Sequence, residues 1–117
     1  MPPTEPRPPR FRSGSWRGYY EQFGERFPQE QTMEFADGIV RGEGQDGIAR
    51  FRIEGTYHRD GNTLRIGWIK TYEAGHSVLY LGATDGDWIR GRWELSDGHG
   101  EGFAFAPASI AQDETNA

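Results

Sequence analysis

Apolar and polar side chains alternate with a period of two along much of this chain. Most residues from 50 to 57 and from 88 to 95 alternate between charged and apolar types. A third set of alternate positions consists of Leu64, Ile66, Trp68, Lys70 and Tyr72. Successive side chains of a strand point to opposite faces, so the pattern predicts β-strands with one buried face. No useful length of chain shows the apolar spacing of a helix.

Asp-Gly pairs separate the alternating runs. There are five of them, beginning at positions 37, 46, 60, 85 and 97, and both residue types tolerate the backbone angles of tight hairpin turns. The predicted strands are 15–22, 30–36, 39–44, 48–58, 63–72, 77–83, 88–95 and 101–106. Closing such a meander removes its two exposed edges. We therefore predict an all-β fold, an eight-stranded antiparallel up-and-down (meander) barrel, with a two-sheet sandwich as the second choice.

Three strands share a large residue, a glycine and an aromatic residue at alternate positions. These are Trp16-x-Gly18-x-Tyr20, Ile53-x-Gly55-x-Tyr57 and Ile89-x-Gly91-x-Trp93. Glycine within a strand marks a bulge, a bend or a close approach of another chain segment. The repeat is consistent with sharp bends alone, or with an interior that leaves space beside its aromatic rings.

The start of the first predicted strand carries a family resemblance. Gly14-Ser15-Trp16 resembles the Gly-x-Trp opening of the lipocalins and avidins, the calycin-like eight-stranded barrels. The resemblance implies a barrel that binds a small hydrophobic or vitamin-like ligand, with Trp16 as a packing residue. It also implies that the ligand enters at the end that holds the first hairpin loop.

Composition divides the chain into three parts. Of its 117 residues, the first fourteen contain five of the seven prolines, and the last ten are small or polar apart from Ile110. We predict a disordered proline-rich leader at 1–14, a barrel domain at 15–106 and a disordered tail at 107–117, since neither end can bury enough apolar surface to fold.

Charge and cysteine content exclude several functions. The net charge of −5 disfavours nucleic acid and anionic membranes as partners, and the absence of cysteine excludes disulfides and thiolate metal sites. His58 is predicted at the opposite end from His76 and His99, which argues against a three-histidine metal site. We expect no cofactor and no metal, and by default a cytoplasmic location, because no signal or membrane segment is visible.

The ligand site is predicted from strand direction. Loops 23–29, 44–47, 73–76 and 96–100 fall at one end of a meander, and the first is the longest. By the resemblance this end is the mouth, with His76 and His99 on its rim. The predicted ligand-binding residues are Tyr20, Phe51, Trp68, Lys70, Tyr72, Trp93 and Phe103.

Lys70 is the only cation among these inward residues. A bare buried charge is costly, so its ammonium must reach water or meet an anion. One interpretation is a rim lysine whose side chain extends over Tyr72 to solvent. The other interpretations are a partner for a ligand carboxylate and, last, a Schiff-base lysine.

Three functions remain open from the sequence. The first is a pocket lined by aromatic residues that binds a small apolar or aromatic molecule. The second is a structural or protein-interaction module with a filled core, which forms a homodimer or binds other proteins through outward residues such as Trp88, Tyr19 and Leu79. The third is a cyclase or isomerase acting by confinement, with Lys70, Tyr72, Tyr20 and His76 as polar candidates, although no catalytic residue can be assigned.

Overall fold

The structure is a computed structural model that describes residues 11–84 and 86–111. It shows an all-β chain folded into one closed barrel, in which each strand pairs antiparallel with its neighbours in chain order. The predicted fold class is therefore confirmed. The strands are β1 (Gly14–Gln22), β2 (Glu25–Ala36), β3 (Ile39–Asp46), β4 (Arg50–Asp60), β5 (Thr63–Tyr72), β6 (Ser77–Thr84), β7 (Ile89–Glu94) and β8 (Gly100–Pro107).

Pairing of the first and last strands closes the barrel. The register runs from Trp16 opposite Pro107 to Tyr20 opposite Phe103. Every strand thus has a partner on both sides, and no strand edge is left open. The turns that follow β1, β3, β5 and β7 lie together at one end, here called the mouth end.

The first hairpin differs from the prediction. The expected long loop at 23–29 is a two-residue turn, in which Phe23 and Gly24 both have positive φ, and β2 begins directly after it. In β2 the inward positions include Gln29 and Gln31, which are buried, while their neighbours are exposed. Because these two inward side chains are polar, the sequence of β2 lacks the apolar–polar alternation from which a strand is predicted.

The inward face of each strand forms the core, and the charged face lies outside. In β5 all five residues of the predicted one-face set are buried. On the outside, oppositely charged side chains meet across strands, as in the pairs Arg17–Glu30 and Arg41–Glu54. Such exposed pairs contribute little to stability, so burial of the aromatic core must hold the barrel together.

The glycines of the repeat sit where strands approach closely. A Cβ atom added at Gly18, Gly55 or Gly91 would overlap a backbone carbonyl oxygen of the neighbouring strand. A backbone oxygen cannot swing away as a flexible side chain can. These three glycines therefore lie where neighbouring strands approach closely, which is one of the recognised uses of glycine within a strand.

Aromatic residues cover the barrel end opposite the mouth. The ring of Phe11 stacks on Phe35 at 4.9 Å, and the Trp16 indole N–H donates to the carbonyl oxygen of Arg12 at 2.7 Å. Beyond β8 the chain forms a short helical turn at 108–111. The predicted disorder of leader and tail falls largely on residues 1–10 and 112–117, outside the described part. Within the described ranges, no helix has the length and apolar character needed to cross a membrane.

Candidate functional site

A buried ion pair lies inside the barrel, towards the mouth end. The Lys70 ammonium nitrogen is 2.8 Å from Oδ2 of Asp46, and both side chains are almost completely inaccessible to solvent. The expectation that Lys70 reaches water over Tyr72 is wrong, because the residue is only 1% exposed. Its carboxylate partner is supplied by the chain itself, at the end of β3.

Asp46 accepts hydrogen bonds on both carboxylate oxygens. Oδ1 accepts from the backbone N–H groups of Ile48 at 2.8 Å and Ala49 at 3.2 Å, while Oδ2 accepts from Lys70 and from the Tyr72 hydroxyl. Burial alone raises the pKa of this carboxyl, but the hydrogen bonds and the lysine charge outweigh it and leave the pKa below its usual value. Asp46 is therefore a carboxylate at neutral pH.

Lys70 contacts an amide and several aromatic rings of the core in addition to Asp46. Its Nζ donates to Oε1 of Gln29 at 2.9 Å. Burial lowers the pKa of the lysine, and the hydrogen bond and charge of Asp46 oppose that decrease. Four aromatic rings have their centroids 4.7–5.3 Å from Nζ, a distance at which a ring attracts a cation. They belong to Tyr20, Phe51, Tyr72 and Tyr80.

The tyrosines around the ion pair keep their protons. Burial, followed by the nearby Asp46 charge, raises the pKa of Tyr20 and Tyr80. Burial and the hydrogen bond to Asp46 raise the pKa of Tyr72. One ammonium, one carboxylate and neutral hydroxyls give this interior cluster a net charge of zero.

Two polar groups in the interior have no hydrogen-bond partner within the described part of the chain. They are Nε2 of Gln31 and Nε1 of Trp68, in residues that are 4% and 1% exposed. The other end of the Gln31 amide is satisfied, since its Oε1 accepts from Nε2 of Gln29 at 2.7 Å. Buried donors are nearly always paired in folded proteins, so these two exceptions require an explanation.

Aromatic rings surround the unpartnered indole. Trp68 stacks on Tyr80 with centroids 5.1 Å apart and planes 10° apart, and the edge contact with Phe103 is 5.4 Å. Trp93 differs from Trp68, because its indole N–H donates to the carbonyl oxygen of Glu21 at 2.8 Å. All seven predicted ligand-binding residues are buried, and the structure brings them together in the barrel interior.

The predicted rim residues lie above this interior, without joining the ion pair. His76 stacks on Tyr72 at 5.9 Å, and His99 lies between Phe23 at 6.1 Å and Trp93 at 5.5 Å. Among residues 11–84 and 86–111, no three His, Asp or Glu side chains are grouped as a metal site would require.

Sequence reasoning missed three members of the interior cluster. Asp46 was interpreted only as part of a hairpin turn, and Gln29 and Gln31 were assigned to a loop and to a short strand without a polar interior role. One signal was available, because a lysine on an inward register requires a buried acceptor. Which acceptor meets it depends on the pairing of distant strands, and this is not encoded in local sequence.

An open groove of about 990 Å³ adjoins β1 to β5, and its lining combines outward charged residues with the buried residues Trp16, Gln31, Phe51 and Tyr72. Its charged lining residues point outward and have both signs, so the groove favours neither an anionic nor a cationic partner. They are Arg17, Glu30, Glu43, Arg50, Arg52 and Glu73.

Comparison with protein-family models, with curated proteins and with solved structures finds no significant match to this chain.

Proposed function

We propose that this barrel binds a small apolar or aromatic molecule within its aromatic interior, as barrels of the lipocalin and avidin type do. The observation that carries the proposal is the pair of buried donors without partners, on Gln31 and Trp68, inside a wall of aromatic rings. A core that served only packing would be expected to contain apolar side chains at these positions or to satisfy both donors.

The energetic argument favours a ligand over a purely structural core. Leaving a buried donor unsatisfied costs about 1–3 kcal/mol, so the two donors together lower the stability of the free barrel appreciably. A ligand that accepts hydrogen bonds from them recovers part of that free energy on binding. Aromatic walls with a few convergent polar groups are also typical of small-molecule sites.

The proposal is tested by titrating the protein with a panel of small aromatic compounds. Binding is followed by intrinsic tryptophan fluorescence and by the unfolding temperature. A ligand present at a hundred times its Kd should stabilise the fold by about 2.7 kcal/mol.

Two tryptophan variants serve as a matched pair in this titration. Trp68→Phe should weaken the fluorescence response, to which the buried Trp93 also contributes, whereas Trp88→Phe should leave it unchanged, because Trp88 lies on the outer surface beneath Arg90. The absence of binding by every compound, or a response that survives Trp68→Phe and disappears with Trp88→Phe, would contradict the proposal.

Exposed apolar side chains on the outer surface favour a second candidate function, self-association into a homodimer. Ile69 is opposite Leu79 in the β5–β6 ladder, and Ile69 and Leu81 are 43% and 50% exposed. Contiguous apolar surface of this kind is common at protein interfaces. Light scattering over a range of concentrations tests it: a dimer that Leu81→Lys dissociates is expected, and a monomer at all concentrations would exclude it.

A further inference from the structure

We infer that the boundary between β1 and β8, here called the seam, opens at the mouth end and admits the ligand, and that the Glu101 carboxylate is the latch that keeps it closed. The inference rests on the proposed function for the molecule that passes, but the opening itself can be measured without a ligand. It is carried by an interrupted strand pairing, by the side chains that replace this pairing and by a strained turn beside it.

The strand pairing at the seam stops before it reaches the mouth end. Within the described residues, the β1–β8 register ends at Tyr20 opposite Phe103, although β1 continues to Gln22 and β8 begins at Gly100. By contrast, the registers of β1 with β2 and of β7 with β8 extend to the mouth-side end of each strand. The mouth-side ends of β1 and β8 are thus each paired with one neighbouring strand rather than two.

Side chains join the two strands where the backbone pairing stops. The Glu101 carboxylate accepts from the Phe23 N–H at 2.7 Å and from the Gly24 N–H at 3.3 Å. The Trp93 indole, on β7, donates to the carbonyl oxygen of Glu21 on β1 at 2.8 Å. Three side-chain hydrogen bonds therefore close the mouth end of the seam, and two of them depend on one carboxylate.

The turn that Glu101 holds has an unfavourable backbone conformation. Phe23 has a φ of 54°, in the left-handed region that a bulky residue rarely adopts. Its side chain gains little from burial, because it is 81% exposed, and its ring stacks on that of His99 at 6.1 Å. Strain of this kind persists only where the surroundings impose it, so loss of the carboxylate contacts should let the turn move away.

Rings of the proposed ligand site lie directly behind the seam. Tyr20 and Phe103 form its last pair towards the mouth, and both are buried, as is Trp93. Phe103 contacts Trp68, with ring centroids 5.4 Å apart. Movement of the mouth-side end of β1 away from β8 would therefore expose an aromatic path from the mouth end to Trp68.

The boundary between β4 and β5 is closed more firmly at the same end. Its pairing continues into the turns, because the Glu73 N–H donates to the carbonyl oxygen of Arg50 at 3.1 Å. The buried Asp46–Lys70 ion pair also ties β3 to β5. Opening there would break backbone hydrogen bonds beside a buried ion pair, whereas the mouth end of the seam opens by releasing side chains. We therefore place the entry at the seam.

Hydrogen exchange of two tryptophan indoles measures the opening without a ligand. Glu101→Ala removes the latch but no atom of the Trp93–Glu21 hydrogen bond. The Trp93 indole N–H, assigned with Trp93→Phe, should exchange at least about tenfold faster in this variant. The Trp16 indole N–H, which donates to Arg12 at the opposite end of the barrel, should exchange as in the wild-type protein.

Two further variants complete the exchange measurement. Glu94→Ala removes a neighbouring carboxylate that faces Arg92, and it should leave exchange at both indoles unchanged. Should Glu101→Ala fail to fold, Glu101→Gln keeps one acceptor oxygen and should accelerate exchange at Trp93 several-fold. Unchanged exchange at Trp93 would overturn the latch. Equal acceleration at Trp16 and Trp93 would also overturn it, because that result indicates destabilisation of the whole barrel.

Binding kinetics then test the seam as the entry. The probe is the uncharged dye N-phenylnaphthylamine, whose fluorescence rises in apolar surroundings, mixed with the protein by stopped flow. Glu101→Ala should raise the association and dissociation rate constants several-fold and by the same factor, so that the Kd stays within about twofold of wild type. A latch changes how often the path is open and leaves the contacts of the bound molecule as they are.

The outcomes separate this inference from the proposed function. Dye that binds to Glu101→Ala and to wild type with equal rate constants would overturn the seam as the entry while leaving a ligand-binding barrel. Failure of the dye and of the aromatic panel to bind would overturn the proposed function and the entry with it. The exchange measurement would still decide whether the seam opens.

Discussion

The buried Lys70–Asp46 pair makes a prediction whose size follows from its surroundings. Asp46→Asn preserves the shape of the side chain but removes the negative charge that faces the ammonium at 2.8 Å. Loss of one partner of a buried pair destabilises a protein by about 3–5 kcal/mol. Without the Asp46 charge, burial lowers the pKa of Lys70 unopposed, so the ammonium should lose its proton in the folded variant.

The assay is urea unfolding followed by tryptophan fluorescence, with the variant compared to wild type at several pH values. The neutralised Lys70 of the variant binds fewer protons when folded than when unfolded. Its stability should therefore rise by about 1.4 kcal/mol per pH unit between pH 7 and 10. The deficit relative to wild type should shrink over the same interval.

An exposed ion pair on the same barrel provides the control. Arg41 and Glu54 are 3.6 Å apart with side chains about 70% exposed, so Glu54→Gln should cost less than about 1 kcal/mol. An Asp46→Asn effect as small as this one, or one that does not change with pH, would refute the claim that Lys70 is a buried, paired cation.

Three further predictions concern the tyrosines and the glycines of the barrel. The folded-state pKa of Tyr20, Tyr72 and Tyr80 lies above the unfolded value near 10, so the stability that they contribute is complete below about pH 10 and decreases as the pH rises further. Near-ultraviolet titration of tyrosinate should show these three residues ionising only as the fold is lost. Ionisation of any of these three in the folded protein near pH 10 would contradict this. Tyr72→Phe removes a hydrogen bond to the Asp46 carboxylate and should cost about 1.5–3 kcal/mol in urea unfolding, whereas a cost near zero would mean that the bond does not form. Gly55→Ala should destabilise the barrel by about 3 kcal/mol, because the added Cβ would overlap a backbone oxygen of the neighbouring strand. Gly86→Ala should change stability by less than about 1 kcal/mol, because an added Cβ there meets no atom within 4 Å. Equal effects at the two sites would show that the neighbouring strand moves to accommodate the methyl group.

The fold could be predicted because its signals are local. The alternation at 50–57 and 88–95 and the Asp-Gly turns each reflect the backbone of a few residues. The first hairpin could not be predicted in the same way. Its inward face includes Gln29 and Gln31, and polar residues on a buried face remove the contrast on which the alternation depends.

The candidate site was predicted only in part, for a different physical reason. Inward aromatic residues follow from the register of single strands, and the buried position of Trp68 required no more than that. The partner of Lys70 lies 24 positions away in sequence, at a turn whose Asp-Gly pair has a local explanation. Tertiary pairing gave Asp46 a second role, and only the closed barrel brings it to the ammonium.

The central claim is that a small aromatic molecule binds inside the barrel, against the aromatic residues around Trp68. Intermolecular nuclear Overhauser effects between a compound of the aromatic panel and the protein examine it most directly. The account predicts contacts from the ligand protons to the Trp68, Tyr80 and Phe103 rings, with none to the outward side chains of Ile69 and Leu81. Contacts to those outward side chains, with the interior rings silent, would contradict it.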